Sequence, residues 1–83
     1  MTITIEAATE KLDSLLALLA GCSASEACDI VQEHVQEART YLLGAMDAEC
    51  RFSLDLAREA AVRIPDRNIR IKAENVLSDL VAD

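Results

Sequence analysis

The sequence predicts an all-α fold, a small four-helix bundle formed by one domain that spans residues 1–83. Apolar residues recur at steps of three and four along most of the chain, the spacing that places side chains on one face of an α-helix. The chain has one proline, two glycines and two aromatic residues against fourteen alanines, a composition typical of closely packed helices. Its length allows a single core.

The first helix is predicted over residues 5–20. Its apolar face is formed by Ile5, Ala8, Leu12, Leu15, Leu16 and Leu19. Gly21 is expected to end the helix in the left-handed conformation. Because threonine and isoleucine alternate in residues 1–5, a short strand is the alternative there, and its only partner would be residues 68–72, which alternate similarly.

The second helix is predicted over residues 25–43, after a short polar connection that favours an antiparallel hairpin. Ser23 and Glu26 have the spacing of a capping box at its start. The apolar face repeats at steps of three and four through Ala27, Val31, Val35, Ala38, Leu42 and Ala45.

The third helix, residues 47–63, is predicted to be separate because the apolar face turns near Gly44. After Gly44, the most apolar row of residues at helical spacing, and so the best candidate for a buried face, is Met46, Cys50, Leu54, Ala57, Ala61 and Ile64. We expect Gly44 to end one helix and Asp47 to cap the next. The alternative, fusion of helices two and three into one helix of about 60 Å, would require a dimer to cover it.

Pro65 is expected to end the third helix, since proline lacks an amide donor and disfavours helical geometry in the residue before it. Asp66 or Asn68 can then cap a fourth helix over residues 67–81. Its apolar face consists of Ile69, Ala73, Val76, Leu77, Leu80 and Val81.

The net charge of −7 is unevenly distributed along the chain. Residues 1–38 carry seven acidic side chains and one lysine, a net of −6, whereas residues 39–72 carry five acidic and seven basic side chains, a net of +2. This asymmetry suggests docking between the two halves or between copies of the chain.

Acidic residues on the second helix recur at helical spacing, where like charges repel unless opposite charges face them. Two interpretations are open. The first is a solvated face, with the arginines later in the chain paired locally to acidic neighbours, such as Arg63 to Glu59 and Arg70 to Asp66. The second is a row complementary to arginines in the same or another chain. On the second interpretation, the candidate partner-binding residues are Glu26, Asp29, Glu33, Glu37, Arg58 and Arg63.

Little in the sequence points to catalysis, a metal or a cofactor, and we expect no enzyme. His34, the single histidine, is six residues from Cys28, an offset that puts the two side chains on different sides of a helix. There is no glycine-rich loop or nucleophile elbow. Cys22, Cys28 and Cys50 lack the spacing of redox or zinc motifs, so we interpret them as reduced thiols, with a disulfide as the alternative.

The composition therefore favours a role in binding proteins. We expect a small acidic cytosolic interaction or regulatory protein that acts through helical faces on a protein partner and self-associates as a dimer. The alternative is an acidic decoy that mimics nucleic acid and inhibits a nucleic-acid-binding protein. Direct nucleic-acid binding is disfavoured by the net charge, and membrane binding by the acidic polar face of the first helix.

Overall fold

Four α-helices account for most of the computed structural model, which describes residues 4–21 and 25–81. They are α1 (Ile5–Ala20), α2 (Glu26–Leu43), α3 (Asp47–Ala61) and α4 (Arg67–Val81). The predicted all-α four-helix fold is confirmed. The observed bounds differ from the predicted ones by at most one residue, except that α3 ends two residues earlier than expected.

The helices form a closed bundle in which each packs against its neighbours in the chain, and α4 packs back onto α1. The most extensive packing joins α2 to α3, and the diagonal pairs do not approach closely over the described residues. Short connections make successive helices antiparallel. The bundle measures 32 × 20 × 19 Å, so its long axis exceeds by about 10 Å the length of one helix of fifteen residues at about 1.5 Å per residue.

The chain breaks between α2 and α3, so the alternative of one continuous helix is wrong. Gly44 follows α2 with a φ of −89°, and the left-handed residue is its neighbour Ala45, whose φ is 59°. The N-cap of α3 is Met46, which offers no side-chain hydrogen bond, so the prediction that Asp47 caps this helix is wrong. Asp47 is instead in the first turn, where its negative charge interacts favourably with the positive end of the helix dipole.

Side-chain caps fix the start of the other helices. The Thr4 hydroxyl accepts a hydrogen bond from the Ala7 amide at 3.1 Å, and the Ser25 hydroxyl accepts one from the Cys28 amide at 3.3 Å. The predicted capping box involves Ser23, which lies outside the described residues. Gly21 has a φ of −82°, so the prediction of a left-handed cap there is wrong.

The last connection contains Pro65 and ends at a capped α4. The Asp66 carboxylate accepts a hydrogen bond from the Ile69 amide at 3.1 Å, which confirms one of the two predicted caps. Residues 68–72 belong to α4, as predicted, so the alternative of a short strand in this segment is wrong. Its supposed partner, residues 1–5, lies largely outside the described residues.

The core follows the predicted apolar faces closely. Alanines with no exposed surface, such as Ala38, Ala57 and Ala73, let the helix backbones approach each other. Met46 and Ala45 belong to the predicted faces but are exposed, because the connection between α2 and α3 contains them. The largest buried side chains are those of Leu12, Leu15, Leu19, Val31, Val35, Ile64 and Leu77.

Candidate functional site

The acidic residues of α2 form a continuous row on its outer surface. All four members are exposed, and their spacing places them opposite the buried residues Val31 and Val35. From first to last the row spans eleven residues, or about 16 Å of helix. We call this surface the acidic row; it consists of Glu26, Asp29, Glu33 and Glu37.

One contact between charged groups involves the acidic row within the described residues. His34 Nδ1 lies 2.8 Å from Glu37 Oε1, one helical turn away on the same helix. Arg39, the one arginine or lysine of α2, contacts Asp13 of α1 instead, at 2.7 Å. No basic side chain among the described residues therefore pairs with Glu26, Asp29 or Glu33.

A groove between α2 and α3 runs beside the acidic row. Its volume is about 360 Å³, and its walls contain both aromatic residues of the chain, Tyr41 and Phe52. We call it the α2–α3 groove; its lining consists of His34, Glu37, Tyr41, Ala48, Glu49, Phe52, Ser53 and Leu56.

The groove combines an apolar interior with an acidic rim. Phe52 is 65% exposed, the highest value among the exposed large apolar side chains of the described residues, while Tyr41 and Leu56 are half-buried. The small side chains of Ala48 and Ser53 leave space beside the aromatic ring. Glu37 on α2 and Glu49 on α3 place a carboxylate on each side. A ligand that suits this groove has an apolar group to insert and positive charges beside it.

Sequence reasoning identified Glu37 but missed the aromatic part of this surface. The signal was present: continuing the α2 spacing past Gly44 selects Phe52 and Leu56 together with charged residues, a mixed set that does not belong to the core. An exposed apolar residue of this size indicates an interaction surface when other apolar residues lie beside it, as Tyr41 and Leu56 do here.

The structure separates the predicted partner-binding residues into two surfaces. Arg58 lines a depression between α3 and α4, together with Asp55, Glu59, Val62 and Glu74, and does not line the α2–α3 groove. Arg63 is exposed in the connection that follows α3. Over the described residues, neither arginine forms an ion pair with the acidic row, so the two sets do not meet within one chain.

One of the local pairs expected for the arginines, Asp66 with Arg70, is replaced by other contacts. Arg70 was expected to pair with Asp66, but its Nε lies 3.9 Å from Glu74 Oε1 and its Nη1 donates to the Ile64 carbonyl at 3.2 Å. This second contact ties α4 to the end of α3. No ion pair joins Glu59 to Arg63 in the part of the chain that the structure describes.

The cysteines do not provide a nucleophile at the groove. Cys50 is a buried free thiol, as predicted, and burial, with a smaller contribution from the charge of Asp47, raises its pKa above the ordinary value of 9.0. It therefore stays protonated at neutral pH. For Cys28 the prediction of a reduced thiol is wrong, because this residue is disulfide-bonded.

The described residues contain no group of three or more histidine, cysteine, aspartate or glutamate side chains arranged to hold a metal ion. None of the four described helices is both long enough and apolar enough to cross a membrane.

Comparisons with known proteins identify no relative of this chain. No protein-family model matches the sequence, and neither the curated proteins nor the solved structures contain a significant match.

Proposed function

We propose that this chain is a small protein-interaction module that binds a protein partner through the α2–α3 groove and the adjoining acidic row. The observation that carries the proposal is the position of Phe52. This phenylalanine is 65% exposed in a groove that already contains Tyr41 and Leu56, whereas the described leucines of α1 that face the core are almost fully buried.

An exposed aromatic residue in a groove is suited to act as an anchor. A phenylalanine buries roughly 150–250 Å² when it is fully covered, and apolar surface removed from water contributes about 25 cal/mol per Å². Covering the exposed part of Phe52 would therefore contribute a few kcal/mol at most. That is the size of a binding hot spot, and it requires no change in the fold.

The charges around the groove define the partner. Glu37 and Glu49 flank the apolar interior, and the rest of the acidic row continues along α2 without a described counter-ion. A partner segment that fits presents an apolar side chain between arginine or lysine residues, most simply on one amphipathic helix. Opposite charges accelerate the encounter and fix the register, while the apolar contact supplies most of the affinity.

A second candidate function rests on the acidic row alone. Its four carboxylates occupy about 16 Å of helix, a length over which one strand of a DNA duplex carries about five phosphates. A row of this charge density supports the alternative of a decoy for a nucleic-acid-binding protein. The decoy needs Glu26 and Asp29 as much as Glu37, and it does not need Phe52.

We further propose a cytosolic location, as the sequence suggests, although the disulfide at Cys28 favours an oxidising compartment. The two are distinguished by the thiol content of the protein recovered from its native source. If Cys28 is reduced there, the cytosolic proposal stands. If it is oxidised after rapid acid quenching, the proposal fails.

The interaction proposal is tested with a defined probe rather than an unknown partner. The probe is a synthetic amphipathic helical peptide of about five turns, with leucine on one face and lysine on the other. Calorimetry should show saturable binding to the wild-type protein. Phe52→Ala should weaken binding by at least about tenfold, because it removes the anchor. A peptide with glutamate in place of lysine should not bind.

Two variants serve as controls. Ile71→Ala removes another exposed apolar side chain, 43% exposed on α4, and should bind the lysine peptide as the wild type does. Charge reversal by Glu26→Lys with Asp29→Lys should weaken binding less than Glu37→Lys with Glu49→Lys. Equal binding by wild type and Phe52→Ala would overturn the groove proposal. Loss caused mainly by the Glu26 and Asp29 changes would favour the decoy.

A further inference from the structure

The α2–α3 groove contains one deeply placed polar side chain, that of Ser53. Ser53 is 4% exposed and is the one buried polar side chain among the described residues. The other seven residues that line the groove are exposed or half-buried, so Ser53 is the most deeply placed of the eight. Ser53 therefore forms the floor of the groove.

The Ser53 hydroxyl forms no hydrogen bond within the described residues. A hydroxyl inside a helix can donate to the carbonyl four residues earlier. Thr9 donates in this way to the Ile5 carbonyl at 2.7 Å. Thr40 donates to the Gln36 carbonyl at 3.1 Å. Ser53 makes no such bond, so its hydroxyl is available to a ligand.

A molecule in the groove can reach this hydroxyl. No side-chain nitrogen or oxygen of the described residues is both enclosed and without a hydrogen bond, so the Ser53 oxygen keeps some accessible surface. Because Ser53 lines the groove, a partner that fills the groove displaces the water at this oxygen. An apolar group in that place leaves a buried polar group unpaired, which lowers affinity, whereas a hydrogen-bonding group avoids this loss.

The walls of the groove require an entering side chain that is largely apolar. Tyr41, Phe52 and Leu56 surround a volume of about 360 Å³ with two aromatic rings and one aliphatic side chain. A small polar side chain would leave this apolar surface uncovered. An aromatic ring covers it with little loss of side-chain freedom and packs favourably against other rings.

Positive charges belong at the rim of the groove rather than at its floor. Glu37 and Glu49 are exposed, so a lysine or arginine beside the entering side chain keeps its charge near a carboxylate and near water. An ammonium group on the floor would face one neutral hydroxyl, and burial of an unpaired charge is unfavourable. The side chain that fits has an apolar ring and an uncharged polar tip. Tyrosine has both, and its hydroxyl can donate and accept a hydrogen bond.

We propose that the partner inserts a tyrosine into the α2–α3 groove and that its hydroxyl forms a hydrogen bond with the Ser53 hydroxyl. Lysine or arginine residues beside this tyrosine face Glu37 and Glu49 at the rim. The inference rests on the proposed function, since it names the side chain that enters the same groove. Ser53 is then the residue that distinguishes tyrosine from phenylalanine and leucine.

Three peptides derived from the lysine peptide test this inference on the full-length protein. Each keeps the lysine face and has alanine on the other face, except for one central residue, which is tyrosine, phenylalanine or leucine. A single large side chain is thus available to enter the groove. Calorimetry should show that the wild type binds the tyrosine peptide roughly tenfold more tightly than the phenylalanine peptide, because the two differ by one hydroxyl group. The leucine peptide should also bind more weakly than the tyrosine peptide.

Ser53→Ala is the decisive variant. Alanine removes the hydroxyl and nearly keeps the shape of the groove, so the variant should bind the tyrosine and phenylalanine peptides with affinities within about twofold of each other. The matched control, Ser14→Ala, removes an exposed hydroxyl on α1 outside the groove and should keep the wild-type preference. Circular dichroism establishes that both variants are helical.

The outcomes separate this inference from the proposed function. Equal binding of the tyrosine and phenylalanine peptides by the wild type, or a preference for tyrosine that survives in Ser53→Ala, overturns the inference. Failure of the tyrosine peptide to bind when the lysine peptide binds overturns it as well. In each of these cases, binding of the lysine peptide leaves the groove as an interaction surface in which Ser53 does not select the entering residue. If none of the four peptides binds, the proposed function fails together with the inference.

Discussion

Arg39 of α2 donates through Nε to Asp13 Oδ1 of α1 at 2.7 Å, across a separation of 26 residues. This contact turns the one basic side chain of α2 away from the acidic row. Both side chains are partly exposed, at 39% and 52%, so solvent screens the pair. Its structural effect is to leave the outer surface of α2 negative.

Arg39→Ala should therefore change stability little. We expect a loss of about 0.2–1 kcal/mol in the free energy of unfolding, the range for exposed ion pairs. Asp13→Asn should lose a similar amount. The double variant should lose no more than the sum of the two single losses. Chemical denaturation of the four proteins measures the coupling. A loss above 3 kcal/mol would mean that the pair is far more important to the hairpin than its exposure indicates.

In the connection between α2 and α3, the residue in the left-handed conformation, which glycine adopts most easily, is Ala45 rather than its neighbour Gly44. Ala45 has a φ of 59°, which costs an L-residue roughly 1–2 kcal/mol relative to the right-handed region. Ala45→Gly should thus raise the free energy of unfolding by about 0.5–1 kcal/mol, and the melting temperature by a few degrees. A lower melting temperature would contradict the strain at this residue.

Gly44→Ala is the matched change in the same connection. A Cβ atom there would meet its nearest neighbour, the Thr40 carbonyl oxygen, at 3.5 Å, an ordinary van der Waals contact. The φ of −89° also suits alanine. We expect thermal unfolding to be unchanged or slightly raised. A large destabilisation would show that Gly44 itself needs conformational freedom.

Substitutions of Phe52 and of Leu54 should have different effects on stability, because Leu54 belongs to the core and Phe52 to the binding surface. Leu54 is only 6% exposed, so Leu54→Ala leaves a cavity and should cost about 2–5 kcal/mol in the free energy of unfolding. Phe52→Ala removes a side chain that contributes little to the core, and it should change stability by about 0.5 kcal/mol or less. Urea denaturation compares the two. A Phe52→Ala protein as unstable as Leu54→Ala would place the ring in the core.

The buried thiol of Cys50 makes stability depend on alkaline pH. Its folded-state pKa is raised above 9.0 by burial and, to a smaller extent, by Asp47, so the folded state holds the proton more tightly than the unfolded state. The resulting stabilisation is complete below pH 9 and is lost as the pH rises through the folded pKa.

The measurement for this prediction is urea denaturation between about pH 7 and 11 for the wild type and Cys50→Ala. The wild type should lose more stability above pH 9 than the variant does. Cys50 should also react slowly with iodoacetamide at neutral pH until the protein unfolds, because the thiolate is the reactive form. Identical alkaline profiles for the two proteins would contradict the raised pKa.

The helices could be predicted from the sequence because burial of one face makes apolar residues recur every three or four positions along each helix. The turn of the apolar line near Gly44 separated α2 from α3, and the leucines of α1 marked its buried face. The residues that cap the helices were harder to predict from the sequence. Ala45 adopts the left-handed conformation even though Gly44 is adjacent, so residue preference alone does not identify the position that turns.

The candidate site depended on information that periodicity does not contain. Spacing identified the acidic row from Glu26 to Glu37, but it could not tell which side of α3 faces α2. That choice places Phe52 and Glu37 in one groove and leaves Arg58 in the depression between α3 and α4. The groove exists only because two helices pack together, so no single segment of the sequence reveals it.

The most direct test of the central claim is a titration of the isotope-labelled wild-type protein with the lysine peptide, followed by the shifts of its backbone amide resonances. We predict that the largest shifts occur at His34, Tyr41, Glu49, Phe52 and Leu56, with little change along the groove between α1 and α4, such as at Leu18 and Val76. Shifts spread evenly over the surface, or none at saturating peptide, would contradict the claim that the α2–α3 groove binds proteins.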